Sequence, residues 1–369
     1  MSNSSTSSFH LLLVYTSFVI PTSCYSQRPS SPSDHVAMFI FGDSLFDAGN
    51  NNYLKSAVGR ANFWPYGETF FKHPTGRFSD GRLIPDFIAE YLNLPLIPPY
   101  LQPGNHRYLA GVNFASAGAG ALAETYKGFV IDLKTQLSYF RKVKQKLREE
   151  RGDTETKTFL SKALYLLSIG SNDYVEPFST NYSAFHSSSK RDYVGMVVGN
   201  LTTVVKEIYK NGGRKFGFLN VEPMGCFPYA RAVLQNNTRG CVDELTVLAK
   251  LHNRALTRAL EELMGQLKGF KYSNFDFHAS LSERINNPSK YGFKEGKVAC
   301  CGSGPYRGIL SCGGKRTIKE FQLCDDPSEY LFFDGSHPTE KANYQFAKLM
   351  WTGSPSVTGP CNLQTLVQE

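Results

Sequence analysis

The sequence predicts an α/β protein whose largely parallel sheet is covered on both faces by helices. Four short apolar or aromatic-rich runs bounded by Gly, Pro, Asn or Asp read as strands: residues 37–41, 164–169, 215–221 and 270–275. Amphipathic helical patterns lie between them, and such alternation is what parallel strands joined by crossover helices require. No repeat and no linker divides the chain, so residues 27–369 are expected to form one domain.

In chain order, the first strand runs directly into Gly42-Asp43-Ser44. Asp132 can cap a helix that places Leu133, Leu137, Phe140, Val143 and Leu147 on one face. Its basic run, Arg141, Lys142, Lys144, Lys146 and Arg148, reads as a solvated face. After the second strand, a helix carries Tyr193, Val197, Leu201, Val204 and Ile208 at helical spacing and stops at Asn211-Gly212-Gly213. The third strand is followed by a helix over 242–267 with Leu245, Leu248, Leu256, Leu260 and Leu263 in register. Residues 330–333 form one more strand-like run near the end.

With 41% hydrophobic and 20% charged residues, the chain can bury a core and is neither disordered nor collagen-like. Its longest apolar run near a terminus, residues 11–20, is too short to span a bilayer and has the length of a signal-peptide core. Small residues at the minus-three and minus-one positions predict removal of residues 1–26 by a cut after Ser26, although the segment before the apolar run has no Lys or Arg. Export to the extracellular space is therefore expected. The removed segment carries no Lys, Arg, Asp or Glu, so the mature chain keeps a formal charge of +8. That balance favours anionic wall or membrane surfaces and is too diffuse to argue for nucleic acid.

Cysteine usage fits an oxidising compartment. Loss of Cys24 leaves Cys226, Cys241, Cys300, Cys301, Cys312, Cys324 and Cys361, an odd set that implies an unpaired thiol or an intermolecular bridge. The Gly-rich stretch 299–314 reads as a surface loop tied by disulfides, since adjacent Cys300 and Cys301 lack the paired spacing of a zinc site. Glycosylation sequons occur at Asn181, Asn200 and Asn236.

Ligands of open α/β sheets bind beyond the carboxyl ends of the strands, which directs attention to Ser44. A serine there is ordinarily a helix cap, and the G-x-S-x-G elbow of many serine hydrolases is absent from the chain. To act as a nucleophile, Ser44 needs a base held in the right tautomer by a carboxylate. Among eight histidines, His337 has Asp334 three residues before it, within reach of its Nδ1 on one turn, a pair that read alone is equally a metal half-site or a surface helix start. Acyl transfer also needs donors aimed at the developing oxyanion. Backbone amides in 111–120, which includes Gly118, and the side-chain amide of Asn172 could supply them, although each segment read alone is equally a tight turn or a capped one.

Together these segments resemble, in order and content, the signature blocks of the SGNH hydrolases. FIFGDSLFDAGNNN, GVNFASAGAG, SIGSNDY and FFDGSHPTEKAN are similar to those of the plant GDSL esterase/lipase family, closest to its secreted, defence-related lipases. The resemblance spans essentially the whole mature chain, including PTGRFSDGRLIPDFIAEYL and the ACCGSG segment. It implies a flavodoxin-like three-layer α/β/α sandwich with a central five-stranded parallel sheet, and no metal or other cofactor. By motif position it implies Ser44 as nucleophile and oxyanion amide donor, Gly118 and Asn172 as the other donors, His337 as base and Asp334 as its orienter. Ala117 stands before Gly118 where many members have a second glycine.

The reading is a secreted, apoplastic serine esterase or lipase acting on carboxylic esters of lipids or small acyl groups, with a shallow site. An acyltransferase using the same acyl-enzyme is one alternative, and a catalytically silent wall- or lipid-binding protein is another. Arg77 and Arg82 are expected to pair with Asp80 or Asp86 on the surface, and Asn50-Asn51-Asn52 to form a polar loop beside the site.

Overall fold

A computed structural model describes residues 36–104, 108–180, 189–234, 240–314 and 316–369. The expected signal segment, Asn181 and Asn236 lie outside the described residues.

The central sheet has six strands. β1 (Met38–Gly42), β2 (Gly111–Asn113), β3 (Leu164–Ser168), β4 (Lys215–Leu219) and β5 (Lys271–Phe275) are all parallel. The resemblance implied these five; a sixth, β10 (Thr358–Pro360), adds antiparallel to β5 at the edge. Sheet order is β10-β5-β4-β3-β1-β2. Four strands fall within a residue or two of the apolar runs, because a strand buried on both faces must be apolar throughout. β2 escaped that signal with only three residues, Gly-Val-Asn.

Register places Phe39, Tyr165, Phe216 and Tyr272 across one row of the sheet. Their rings stack, Phe39 on Tyr165 at 5.5 Å and Tyr165 on Phe216 at 5.3 Å between centroids. Phe140 of α2 (Leu133–Arg151) meets this row edge-on. The next row is small at Gly217, where an added Cβ would lie 2.8 Å from Leu363. Between these helices the chain forms α1 (Ile84–Tyr91), α3 (Asp153–Lys162), α4 (Asn172–Thr180), α5 (Lys190–Lys210), α6 (Asp243–Gln266), α7 (Phe277–Asn286), α8 (Glu340–Thr352) and α9 (Leu363–Gln368). α2, α5 and α6 pack side by side on the aromatic face, and α1, α8 and α9 on the other. The architecture is a three-layer α/β/α sandwich. Asp132 caps α2 through Lys134 and Thr135, and Asn211 closes α5.

The second half of the chain builds a smaller annex. β6 (Glu295–Ala299) pairs with β9 (Tyr330–Phe332), and β7 (Cys301–Gly302) with β8 (Gln322–Leu323). Disulfides Cys300–Cys324 and Cys301–Cys312 tie it together, while Cys226–Cys241 anchors the start of α6. The stretch is cross-linked as expected, but its cysteines are not on the surface. They are buried with Ala61, Tyr66, Phe78, Ala117 and Phe333 in a second apolar cluster. Cys361 is disulfide-bonded as well, so no thiol among the described residues is free and the unpaired one suggested by counting is not found there. Asn200 lies exposed on α5.

The arginine expectation needs correction. Arg77 forms a two-pronged ion pair with Asp86 in the interior, at 2.8 Å for both contacts. Arg82 bonds Glu340 and Glu90 rather than Asp80. Asp80 instead accepts from the Glu340 backbone N–H and the Thr69 hydroxyl. No helix among the described residues is long and apolar enough to cross a membrane.

Candidate active site

Strand order reverses at β1, which has β2 on one side and β3 on the other, so a crevice opens there beyond the carboxyl ends. Ser44 occupies a turn directly after β1 rather than a helix start. Gln136 fixes the end of that strand from α2: its Oε1 accepts from Gly42 N and its Nε2 donates to Gly42 O, both at 2.9 Å. Gly42 is required because a Cβ would lie 2.3 Å from Ser168 O.

Across the crevice, the loop between β9 and α8 brings His337 to Ser44. Nε2 and Ser44 Oγ are 2.8 Å apart, and Nδ1 and Asp334 Oδ1 are 2.7 Å apart. An ionised carboxylate only accepts, so Nδ1 carries the proton and Nε2 is left to accept the serine proton. Burial by itself would raise the Asp334 pKa, but His337 and the Tyr66 and Ser336 hydrogen bonds outweigh it and hold the carboxyl below its ordinary value. Tyr66 was not foreseen. Fully buried, it donates its hydroxyl to Asp334 Oδ2 at 2.6 Å, and burial together with the Asp334 charge pushes its own pKa well up. Phe78 lies against the imidazole, with ring centroids 4.8 Å apart.

The three expected oxyanion donors come from neighbouring loops. Among the described residues, the backbone N–H groups of Ser44 and Gly118 have no acceptor. Asn172, first residue of α4, gives one amide hydrogen to Ala119 O at 3.1 Å, which sets it beside the Gly118 loop and leaves its other hydrogen available. Gly118 adopts a φ of +88°, a conformation that suits glycine, and Val58 leaves no room for a side chain.

The asparagine run proves to be the scaffold of this loop. Asn50 donates to the carbonyls of Asn113 and Ala115, and Asn51 donates to those of Gly59 and Ala117. Asp47 accepts from the backbone of Gly49, Asn50 and Ala117. Asp173 accepts from Ala121, Leu122 and the Thr125 hydroxyl. Burial pushes both carboxyls up to about 6 despite these donors.

A narrow pocket of about 60 Å³ opens at Ser44 and His337 and is lined by Asn172, Val175, Met224, Phe227, Tyr229 and Leu234, among others. Glu222, just past β4, is also in its wall and was not foreseen. Burial raises the Glu222 carboxyl, and burial with the Glu222 charge raises Asp43. The cysteines that could bind a metal are held in disulfides, and no cluster of three His, Cys, Asp or Glu suited to a metal occurs among the described residues. Chemically, the arrangement offers a hydroxyl bonded to an imidazole, a carboxylate behind that ring, and unpaired N–H donors at hand.

The family model for GDSL-like lipase/acylhydrolase matches residues 38–350. From Arabidopsis thaliana, GDSL esterase/lipase 1 is 56% identical over 336 residues, covering 90% of each chain. GDSL esterase/lipase 5 is 52% identical over 370 residues, with 98% of this chain and 96% of that one covered. GDSL esterase/lipase 2 is 55% identical over 336 residues, covering 90% and 89%.

Proposed function

The chain belongs to the plant GDSL esterase/lipase family and is a carboxylic-ester hydrolase, and from that premise we propose that it works through an acyl-enzyme on Ser44. His337 takes the Ser44 proton as the hydroxyl attacks the ester carbonyl, then returns it to the leaving alcohol; water repeats the cycle to release the acid. Asp334 holds the imidazole in its Nδ1–H tautomer and stabilises the imidazolium that forms. The Ser44 and Gly118 amides and the Asn172 side chain receive the oxyanion, where each donor is worth about 3 kcal/mol.

The observation that carries this reading is the unbroken hydrogen-bond chain from Tyr66 through Asp334 and His337 to Ser44. Three disulfides within the described chain support secretion to the apoplast, with residues 27–369 folding as one domain. The test is turnover of p-nitrophenyl esters graded from acetate to palmitate, beside Ser44→Ala. Hydrolysis by the wild type and not by the variant is expected, and turnover that survives in Ser44→Ala rules the mechanism out.

A further inference from the structure

Next to the narrow pocket runs a groove of about 700 Å³, and Tyr229 lines both. The groove also reaches the Gly118 loop, since Val58 in its wall is the side chain that a Cβ on Gly118 would strike at 2.4 Å. Val58, Val233, Leu310 and Ile318 line it while 41% to 49% exposed. Large apolar side chains gathered in water mark a surface that meets an apolar ligand.

Two cations share this apolar wall. Neither Arg60 nor Arg316 has a carboxylate partner among the described residues. Arg60 is held by the backbone carbonyls of Asn51, Leu54 and Lys55, which leave its charge uncompensated. Arg316 lies 5.3 Å over the Phe63 ring, and its hydrogen bonds among the described residues are long, Nη2 to Arg60 O at 3.3 Å and to the Tyr66 hydroxyl at 3.4 Å. Its Nε is shielded from solvent and has no acceptor among the described residues. A desolvated guanidinium N–H without a partner favours any anion that can reach it.

We propose that this groove holds the part of the substrate remote from the reacting carbonyl, and that this part is an anionic amphiphile. Its apolar segment lies along Val58, Leu310 and Ile318, and its carboxylate or phosphate pairs with Arg316. The assignment rests on the Ser44 reading and narrows it from esters in general to amphipathic esters bearing negative charge. A neutral ester of equal length fills the groove but leaves Arg316 unpaired.

Binding without turnover tests this directly. Calorimetric titration of the purified protein with n-octyl phosphate, octanoate and n-octyl glucoside, each below its micelle concentration, separates phosphate from carboxylate and both from a neutral head. At least one anion is expected to bind about tenfold tighter than the glucoside, a preference that falls to about twofold in Arg316→Gln and returns in Arg316→Lys. Ile318→Glu, which leaves Arg316 in place, lowers anion binding by placing like charge in the groove. Equal affinity for anions and glucoside, or a preference unchanged in Arg316→Gln or Ile318→Glu, overturns the proposal. The bound anion should also raise KM for p-nitrophenyl butyrate with kcat unchanged; tight binding without inhibition overturns the link to substrate. Loss of hydrolysis alone counts against the Ser44 mechanism, whereas the titration reads the groove whether or not turnover occurs.

Discussion

Ser44, Gly118 and Asn172 emerge from loops at the edge of a sheet whose strands are buried on both faces, whereas Asp334 and His337 stand on a loop backed by two disulfides and a small apolar cluster. The sheet-side half is fixed by amide and carboxylate side chains gripping backbone: Gln136 on Gly42, Asn50 and Asn51 on residues 113 to 117, Asp173 on residues 121 and 122. The histidine-side half has fewer such bonds, Asp334 on residues 336 and 337 and Asp80 on residue 340, and adds disulfides and Tyr66 beneath Asp334. A sheet edge thus arrives with its geometry set by a large core, while a loop far along the chain must be given a rigid base of its own. Among the described residues the two halves are joined by the hydrogen bond between His337 and Ser44 and by Ala117 of the Gly118 loop, which packs in the apolar cluster behind the histidine side.

If they work as a unit, Ser44→Ala and His337→Ala each lower kcat by about 10⁴-fold or more, and the double variant loses little beyond either one. Additive losses would mean that the halves act separately. Removing Cys301–Cys312 by a paired Ser substitution should cost about 2–4 kcal/mol of stability. In urea, activity of that variant should vanish before far-ultraviolet circular dichroism changes, because the annex gives way ahead of the sheet; coincident transitions would erase the distinction.

A finer probe is Tyr66→Phe, which deletes the donor to Asp334 Oδ2 with no change in shape at the ring. A hydrogen bond to a charged group contributes about 1.5–3 kcal/mol, so kcat should fall roughly 10- to 100-fold with KM nearly constant. An equal rise in KM would assign Tyr66 to substrate binding instead. The smallest effect concerns the sheet side. Asp173 titrates near 6 when folded against an ordinary 3.8, so its protonated form adds stability that is complete below about 3.8 and lost as pH rises through 6. Relative to Asp173→Asn, the wild type should therefore lose on the order of 1 kcal/mol between pH 5 and 6.5 in urea titrations. A gap that stays constant or widens with pH would place the carboxyl's burial elsewhere.

The buried five-residue strands and the helices with apolar residues at regular spacing were legible in the sequence because their signal is local. The Asp334–His337 contact was legible, since spacing of three residues suffices to bring that carboxylate to that ring, whereas Ser44 joined them in the sequence only through the family resemblance. Tyr66 was not, because it reaches Asp334 across 268 positions and looks like any core tyrosine. The same holds for Gln136, which bonds Gly42 across 94 positions, and for Asn50 and Asn51, whose composition says loop although both side chains are buried. Likewise, a Gly-rich, cysteine-rich stretch reads as surface until the aromatic side chains that cover it, Tyr66 and Phe78, are known to fold over it.

The central claim is that Ser44 is the residue acylated, and it is tested most directly by covalent labelling. The protein is treated with a fluorophosphonate and its tryptic peptides are mapped by mass. A single adduct on the peptide containing Ser44, abolished in His337→Ala, is the predicted result. An adduct on another residue, or none while ester hydrolysis continues, would contradict it.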